Sequence, residues 1–366
     1  MSFETWQNYI GNKSGFYSDL DPRPRSDSEF TWGMTSKPPT WRRYIKALPV
    51  LGRVISARRL RQSTPAIQWE AVPSSDKRAM HEVRGLLADE TSRILFDEAI
   101  ILRNVSHHRF FAARHAFEPF AEQKLAYEFN ETGFPTTYNG LPIRIYRLFV
   151  AGHDIQVIAA DQFPEMLNTW QQYLIKRDGL DFTPRRGDYV LDCGACIGDV
   201  SIVFAAMVGT SGKVFAFDPI PLHMRFCALQ RRNNPALSSA IELIPKAVGA
   251  NDRSGPNITD ERKEISPGEF NIENFAMTTL DAFAKEHEIS KVDLIKMDIE
   301  GAEREAIDGA KSVICEFKPR LAISTYHRPD DFWSIPLQIR DIGVGYKFAF
   351  EHHSPRNWES VIYAYH

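Results

Sequence analysis

From Tyr189 to the C-terminus the chain alternates short strand-like runs with segments of helical periodicity. YVLDC (189–193), KVFAF (213–217), IELIPKAV (241–248), VDLIKMD (292–298) and RLAISTY (320–326) are the strand-like runs, and a helical pattern follows each, the third only after a polar stretch from Gly249 to Ala276. Strands separated by helices run mostly parallel, because each return needs a crossover, and the helices then cover both faces of the sheet. YKFAFEH and ESVIYAY close the series. The Ser-Pro-Arg-Asn turn between them is too short for a crossover, so they form an antiparallel pair. The expected fold class is α/β, with this domain spanning residues 187–366.

The 366 residues leave room for more than that domain. Residues 76–135 read as a helical region, with Met80, Val83, Leu86 and Leu87 on one face and an aromatic group at Phe110, Phe111, Phe117 and Phe120. Residues 136–186 read as a β-rich lead-in with Asn-Gly and Ala-Gly turns, ending in a helix from Pro164 to Arg177. Residues 1–75 form a basic, partly disordered N-terminal segment. Between Phe30 and Trp69 there is no acidic residue, while Lys37, Arg42, Arg43, Lys46, Arg53, Arg58, Arg59 and Arg61 are all cationic. Trp41, Tyr44, Leu48, Leu51, Val54 and Leu60 interleave with these cations, as in a surface-lying helix pair broken at Pro49. Residues 37–61 are therefore a candidate for peripheral membrane or protein contact, set against simple docking of the apolar stripe on the domain. A chain lacking residues 1–70 is expected to fold.

The net charge of −3 does not mark a nucleic-acid binder, and no apolar run approaches the roughly 20 residues needed to span a bilayer. Four cysteines in a chain of this length make no disulfide framework, so a cytoplasmic location is expected.

Ligands of doubly wound sheets sit beyond the carboxyl ends of the strands. The first such end is VLDCGACIGD, where Gly194 and Gly198 flank a tight turn into a helix whose N-terminus offers free N–H groups. The next strand ends in Asp218, placed to accept hydrogen bonds from both hydroxyls of an adenosine ribose. The Gly194–Gly198 spacing departs from the G-x-G-x-x-G of dinucleotide sites, which disfavours an NAD-linked sugar dehydrogenase or epimerase. Asp192 adds a carboxylate that would repel pyrophosphate and attract the ammonium of an amino acid. Cys193-x-x-Cys196 has no second cysteine pair to complete a zinc site, and no metal is assigned.

VLDCGACIGDVSIVFA, KVFAFDP, TTLDAF, DLIKMDIEGAE and LAISTYH, in this order, resemble the FkbM-type family of S-adenosylmethionine-dependent methyltransferases. The resemblance covers roughly residues 187–366 and implies a class I methyltransferase, Rossmann-like, with a seven-stranded sheet whose last strand is antiparallel. It implies S-adenosyl-L-methionine as cofactor, with Asp192, Gly194, Ala195 and Gly198, and Cys196 in the same turn, around its methionine part. Asp218 then holds the ribose, and Ala247 and Val248 lie beside the adenine. It further implies O-methylation of a sugar, a glycan or a secondary metabolite.

A hydroxyl acceptor must lose its proton, so a base or a divalent cation near the methyl group is useful. Asp298 ends the fourth strand and His327 follows the fifth, at the same edge. His327 is the expected base, and Asp298 its orienting partner or a metal ligand. Glu303 is assigned to the first turn of a helix, where a carboxylate is favourable in any case. The Asn/Asp-Pro-Pro-aromatic signature of amino-methyltransferases is absent after the fourth strand, which favours hydroxyl chemistry. Tyr326, Trp333 and Trp358 fall near the expected rim, where aromatic faces suit sugar rings. The non-enzymatic alternative is a cofactor-binding or membrane-docking scaffold using the basic segment.

Overall fold

The computed structural model describes residues 1–18, 69–105, 122–138, 140–161, 163, 167, 171–177, 179–254, 275–353 and 359–366. The basic segment at 37–61, the aromatic group at 110–120, residues 255–274 of the polar stretch, and Trp358 lie outside them.

Helices α1 (Phe3–Ser18), α2 (Ser74–Leu86) and α3 (Glu90–Val105) come first. The strands β1 (Glu122–Glu128), β2 (Thr137–Tyr138), β3 (Leu141–Val150) and β4 (His153–Ala160) follow and pair antiparallel around β3. The helical reading of 76–135 is corrected at β1, which forms a bulged ladder with β3. Residues 176–177 also depart from the sequence reading: β5 (Lys176–Arg177) and β6 (Leu180–Asp181) make a small antiparallel pair where the end of a helix was expected. Arg177 explains the difference. Its buried guanidinium is held by Glu351 at 2.9 Å and Asp89 at 2.9 Å, so long-range ion pairs fix this segment.

The α/β domain contains β7 (Tyr189–Cys193), α4 (Asp199–Val208), β8 (Lys213–Phe217), α5 (Pro221–Asn233) and β9 (Ile241–Ile244). Then come β10 (Ala247–Val248), β11 (Met277–Thr278), α6 (Leu280–Glu286), β12 (Leu294–Met297), α7 (Glu303–Asp308) and α8 (Lys311–Phe317). β13 (Arg320–Ser324), α9 (Asp331–Asp341), β14 (Lys347–His352) and β15 (Ser360–Tyr365) complete it. The seven-stranded sheet has the order β14-β15-β13-β12-β7-β8-β9. Its β9, β8, β7, β12 and β13 are parallel, and β15 inserts antiparallel between β13 and β14. This is the class I methyltransferase fold. The run 241–248 is split, because Ala247 and Val248 leave the main sheet to pair with β11.

All four residues of β12 are buried, as expected for a strand covered on both faces. On one face lies a core that includes Phe215, Ile295, Phe332, Phe350 and residues of the N-terminal helices. Leu87 bridges to Phe348 and the Ala88 N–H donates to the Phe348 carbonyl, so the chain between α2 and α3 covers the β14 edge.

The N-terminus is part of this core. Trp6 and Ile10 are fully buried, and Trp6 Nε1 donates to Asp97 Oδ1 at 2.7 Å and meets Trp69 edge-on. Removing residues 1–70 would therefore strip buried side chains from this core, which the strand and helix pattern does not reveal. Trp6→Ala should cost about 3–5 kcal/mol, the scale of emptying a buried aromatic site, in urea unfolding of the whole chain. A loss under about 1 kcal/mol would show that α1 contributes little to the core.

Candidate active site

The sheet changes winding direction at β7, whose neighbours β12 and β8 lead the chain to opposite sides, and the candidate residues gather at the carboxyl ends of these strands. The turn after β7 is fixed by contact with the end of β12. Gly194 has φ +83°, and a Cβ there would lie 1.9 Å from the Asp298 carbonyl oxygen, so only glycine fits. The Gly194 and Ala195 N–H groups both donate to the Phe217 carbonyl, at 2.9 Å each. Cys196 adopts φ +52° and donates its N–H to Asp218 Oδ2 at 2.9 Å. Gly198, with φ +79°, precedes α4 and packs on Cys227.

Asp192 sits apart from solvent and its charge is already matched. Its Oδ1 lies 3.0 Å from Lys296 Nζ, and its Oδ2 accepts from Ser201 at 2.6 Å. The expectation that it offers this charge to a ligand ammonium is corrected, because Lys296, one strand away on β12, takes it. Burial opposes the Lys296 charge, but Asp192 and Asp298 outweigh it and raise the amine above its ordinary range. Lys296 Nζ also donates to the Gly194 carbonyl at 2.7 Å.

Asp218 is 6% exposed and well supplied with donors. Its Oδ1 accepts from Ile220 N at 2.9 Å and from His223 Nδ1 at 3.0 Å, in addition to the Cys196 bond on Oδ2. A carboxylate has about four lone-pair sites, so these three bonds leave about one, on Oδ2. Ala247 and Val248 are buried beyond the end of β9. Cys193 and Cys196 are thiols whose ionisation burial pushes far up, which leaves neither suited to thiolate chemistry.

The second half of the site lies after β12 and β13. Asp298 accepts from the Tyr173 hydroxyl at 2.7 Å and the Tyr326 hydroxyl at 2.9 Å. Burial alone would raise its pKa, but His327, Lys296 and the two tyrosines together hold it below the usual carboxylate range. His327 Nε2 lies 3.3 Å from Asp298 Oδ1, and Nδ1 lies 2.9 Å from Glu303 Oε1. Glu300 approaches Nε2 at 3.8 Å. Burial alone would lower the His327 pKa, yet Glu303, Asp298 and Glu300 raise it to about 10.

The structure thus brings His327 and Asp298 together, and it assigns the orienting contact at Nδ1 to Glu303. Sequence reading gave Glu303 a helix-end role; it does start α7 and its Oε1 accepts the Ile299 N–H at 2.8 Å, but its carboxylate is buried against the imidazole. Asp298, Glu303 and His327 offer ligand atoms within 4.8 Å of one another. Glu303 and Asp298 face opposite ring nitrogens, the geometry of an oriented imidazole. Also unforeseen were Tyr173 and Glu359, the latter pushed up to about 7 by burial and by Asp298 and held in a φ of +68°. Gln172 donates to Glu359. No local sequence signal marks Tyr173 or Glu359, since each reaches Asp298 only through the tertiary fold.

Residues 192–352 match the family described as the methyltransferase FkbM domain. Among solved structures, a methyltransferase FkbM from Methylobacillus flagellatus KT aligns with a TM-score of 0.53 at 18% identity, over 80% of this chain and 59% of that one. The chain thus spans 59% of the length of that relative. A fibrillarin from Aeropyrum pernix, solved with natively bound S-adenosyl-L-methionine, aligns more distantly, with a TM-score of 0.34 at 12% identity over 66% of this chain and 99% of that one. No curated protein matches the chain. The family match falls on the residues whose motifs carry the resemblance, and bears that resemblance out over residues 192–352. Among the described residues, no helix is long and apolar enough to cross a membrane.

The charge on His327 is stabilised by folding. Its pKa is raised above the ordinary 6.5, so its contribution to stability is complete below about 6.5 and is lost as pH rises towards about 10. In an NMR titration the His327 ring should stay protonated through neutral pH and titrate near 10. A midpoint near 6.5 would show that the three carboxylates do not act on it.

Proposed function

We propose that this protein is an S-adenosylmethionine-dependent O-methyltransferase acting on a hydroxyl of a small acceptor, with a sugar or glycan preferred over a secondary metabolite. One observation carries the proposal. The glycine turn after β7 abuts the Asp298 backbone so closely that a Cβ on Gly194 would fall 1.9 Å from its carbonyl oxygen, which sets a nucleoside-type turn against a carboxylate–imidazole cluster. Two reactants held side by side in a fixed frame are what a displacement reaction needs.

In this reading Gly194, Ala195, Cys196 and Gly198 form the wall for the methionine part, with Asp192 acting on that wall through Lys296. Asp218 accepts from the ribose, and Ala247 and Val248 flank the adenine. S-adenosylmethionine, when bound, supplies the electrophilic methyl group. The chain's own task is to orient the acceptor and receive its proton. Asp298, Tyr173 and Tyr326 form a hydrogen-bonding set suited to hydroxyls, and His327 Nε2, oriented by Glu303 at Nδ1, takes the proton. A positioned base suits an alcohol, which must lose its proton to react, more than an amine already in its neutral form.

The same basicity has a cost. His327 acts as a base only when neutral, and with a pKa of about 10 it is mostly protonated near pH 7. kcat/KM should therefore rise with pH, about tenfold per unit, towards a plateau near pH 10. His327→Ala should lower turnover by about 10²- to 10⁴-fold and leave S-adenosylhomocysteine affinity near wild type. Loss of all activity in EDTA with much of it kept in His327→Ala would assign the proton to a metal-bound acceptor instead. Asp218→Ala should weaken S-adenosylhomocysteine binding by about 1–3 kcal/mol in calorimetry. Wild-type protein that binds NAD and not S-adenosylhomocysteine would refute the cofactor assignment.

A further inference from the structure

The N-terminal hairpin reaches the acid proposed to hold the ribose. Tyr138 ends the two-residue strand β2, which pairs with the start of β3. Its hydroxyl lies 3.0 Å from His223 Nε2, and His223 Nδ1 lies 3.0 Å from Asp218 Oδ1. The Cys196 thiol reaches the Tyr138 hydroxyl at 3.1 Å, while the Cys196 N–H is bonded to Asp218 Oδ2 at 2.9 Å. These four residues close a ring that begins and ends on the glycine turn. His223 and Asp218 are buried, at 5% and 6% exposure, so water competes little for these bonds.

The direction of the ring follows from the chemistry of its members. Asp218 as a carboxylate only accepts, so His223 carries its hydrogen on Nδ1. With Nδ1 committed to Asp218, Nε2 is the ring nitrogen left to the Tyr138 hydroxyl. The Tyr138 oxygen in turn accepts from Cys196, whose ionisation burial suppresses, so it keeps the thiol hydrogen it donates. The two bonds on Asp218 Oδ1 fix the carboxylate plane.

We propose that Tyr138 is a positioning residue of the cofactor site, acting through His223 to aim the open lone pair of Asp218 Oδ2 at one ribose hydroxyl. The cofactor site is then composite, built from the α/β domain and from a hairpin outside the matched residues 192–352. The inference rests on the cofactor assignment above. It predicts that Asp218 recognises one hydroxyl of the ribose and not both.

The test is calorimetry of the full chain with S-adenosylhomocysteine and with its 2′-deoxy and 3′-deoxy ribose analogues. Wild type should bind one deoxy analogue at least about tenfold more weakly than the parent and the other nearly as well as the parent. Tyr138→Phe should bind the parent about tenfold more weakly and lose that discrimination, with its thermal unfolding little changed. Tyr138→Phe with wild-type affinity and discrimination overturns the proposal, as does an equal weakening of all three ligands, which a merely structural role would give. Wild type that discriminates equally against both analogues also overturns it. If Tyr138→Phe does not fold, His223→Gln takes its place with the same expected and contrary results. Failure of wild type to bind S-adenosylhomocysteine at all refutes the cofactor assignment itself, and this inference with it.

Discussion

The buried ion pair between Lys296 and Asp192, 3.0 Å long and shielded from water, is the contact on which the geometry of the site depends. It joins the ends of two adjacent parallel strands, β12 and β7, and Lys296 extends it to the Gly194 carbonyl. Removing one member of such a pair leaves a buried charge without compensation, which typically costs about 3–5 kcal/mol, so each residue constrains the other. The turn proposed to bind the cofactor is thereby fixed relative to Asp298, two residues along from Lys296. A side chain expected to meet a ligand thus acts inside the protein, where it holds the wall that a ligand would meet.

The second constraint is an excess of carboxylates around one imidazole. Asp298, Glu300 and Glu303 all face His327, and burial, with the Asp298 charge added to it, pushes the Glu359 pKa up to about 7. Such a cluster is costly unless a cation sits among its members, and protonated His327 supplies that charge. Tyr173 and Tyr326 hold the remaining Asp298 lone pairs. Only the neutral ring can take a proton from a substrate, and the same carboxylates would then stabilise the imidazolium so formed.

The seven-stranded sheet was legible in the sequence because parallel strands buried on both faces read as compact apolar runs between helical segments, and the Ser-Pro-Arg-Asn turn marked the antiparallel end. The placement of His327 beside Asp298 was legible for the same reason, since both follow strands that are neighbours in that order. The contact of Glu303 with His327 was not legible, because helix-start position explains a glutamate well enough and only the return of β13 brings the two together. Lys296 lies within an apolar strand and gives no local sign that it answers Asp192. Tyr138, Tyr173, His223 and Glu359 belong to segments far apart in the chain, and periodicity carries no information on such meetings. The strands at 122–128 and 176–177 were read as helical because tertiary pairing and the Arg177 ion pairs override local preference there. The burial of Trp6 was missed because a helix at the end of a polar segment shows no partner in its own sequence.

The central claim is methyl transfer from S-adenosylmethionine to a hydroxyl, and the most direct measurement follows the methyl carbon. The full chain, incubated with S-adenosylmethionine carrying a ¹³C-methyl group and with sugar or metabolite extracts, should yield S-adenosylhomocysteine together with a ¹³C-methyl resonance on an ether oxygen. Label on nitrogen, or no label transferred to any acceptor while S-adenosylhomocysteine binds, would contradict the account.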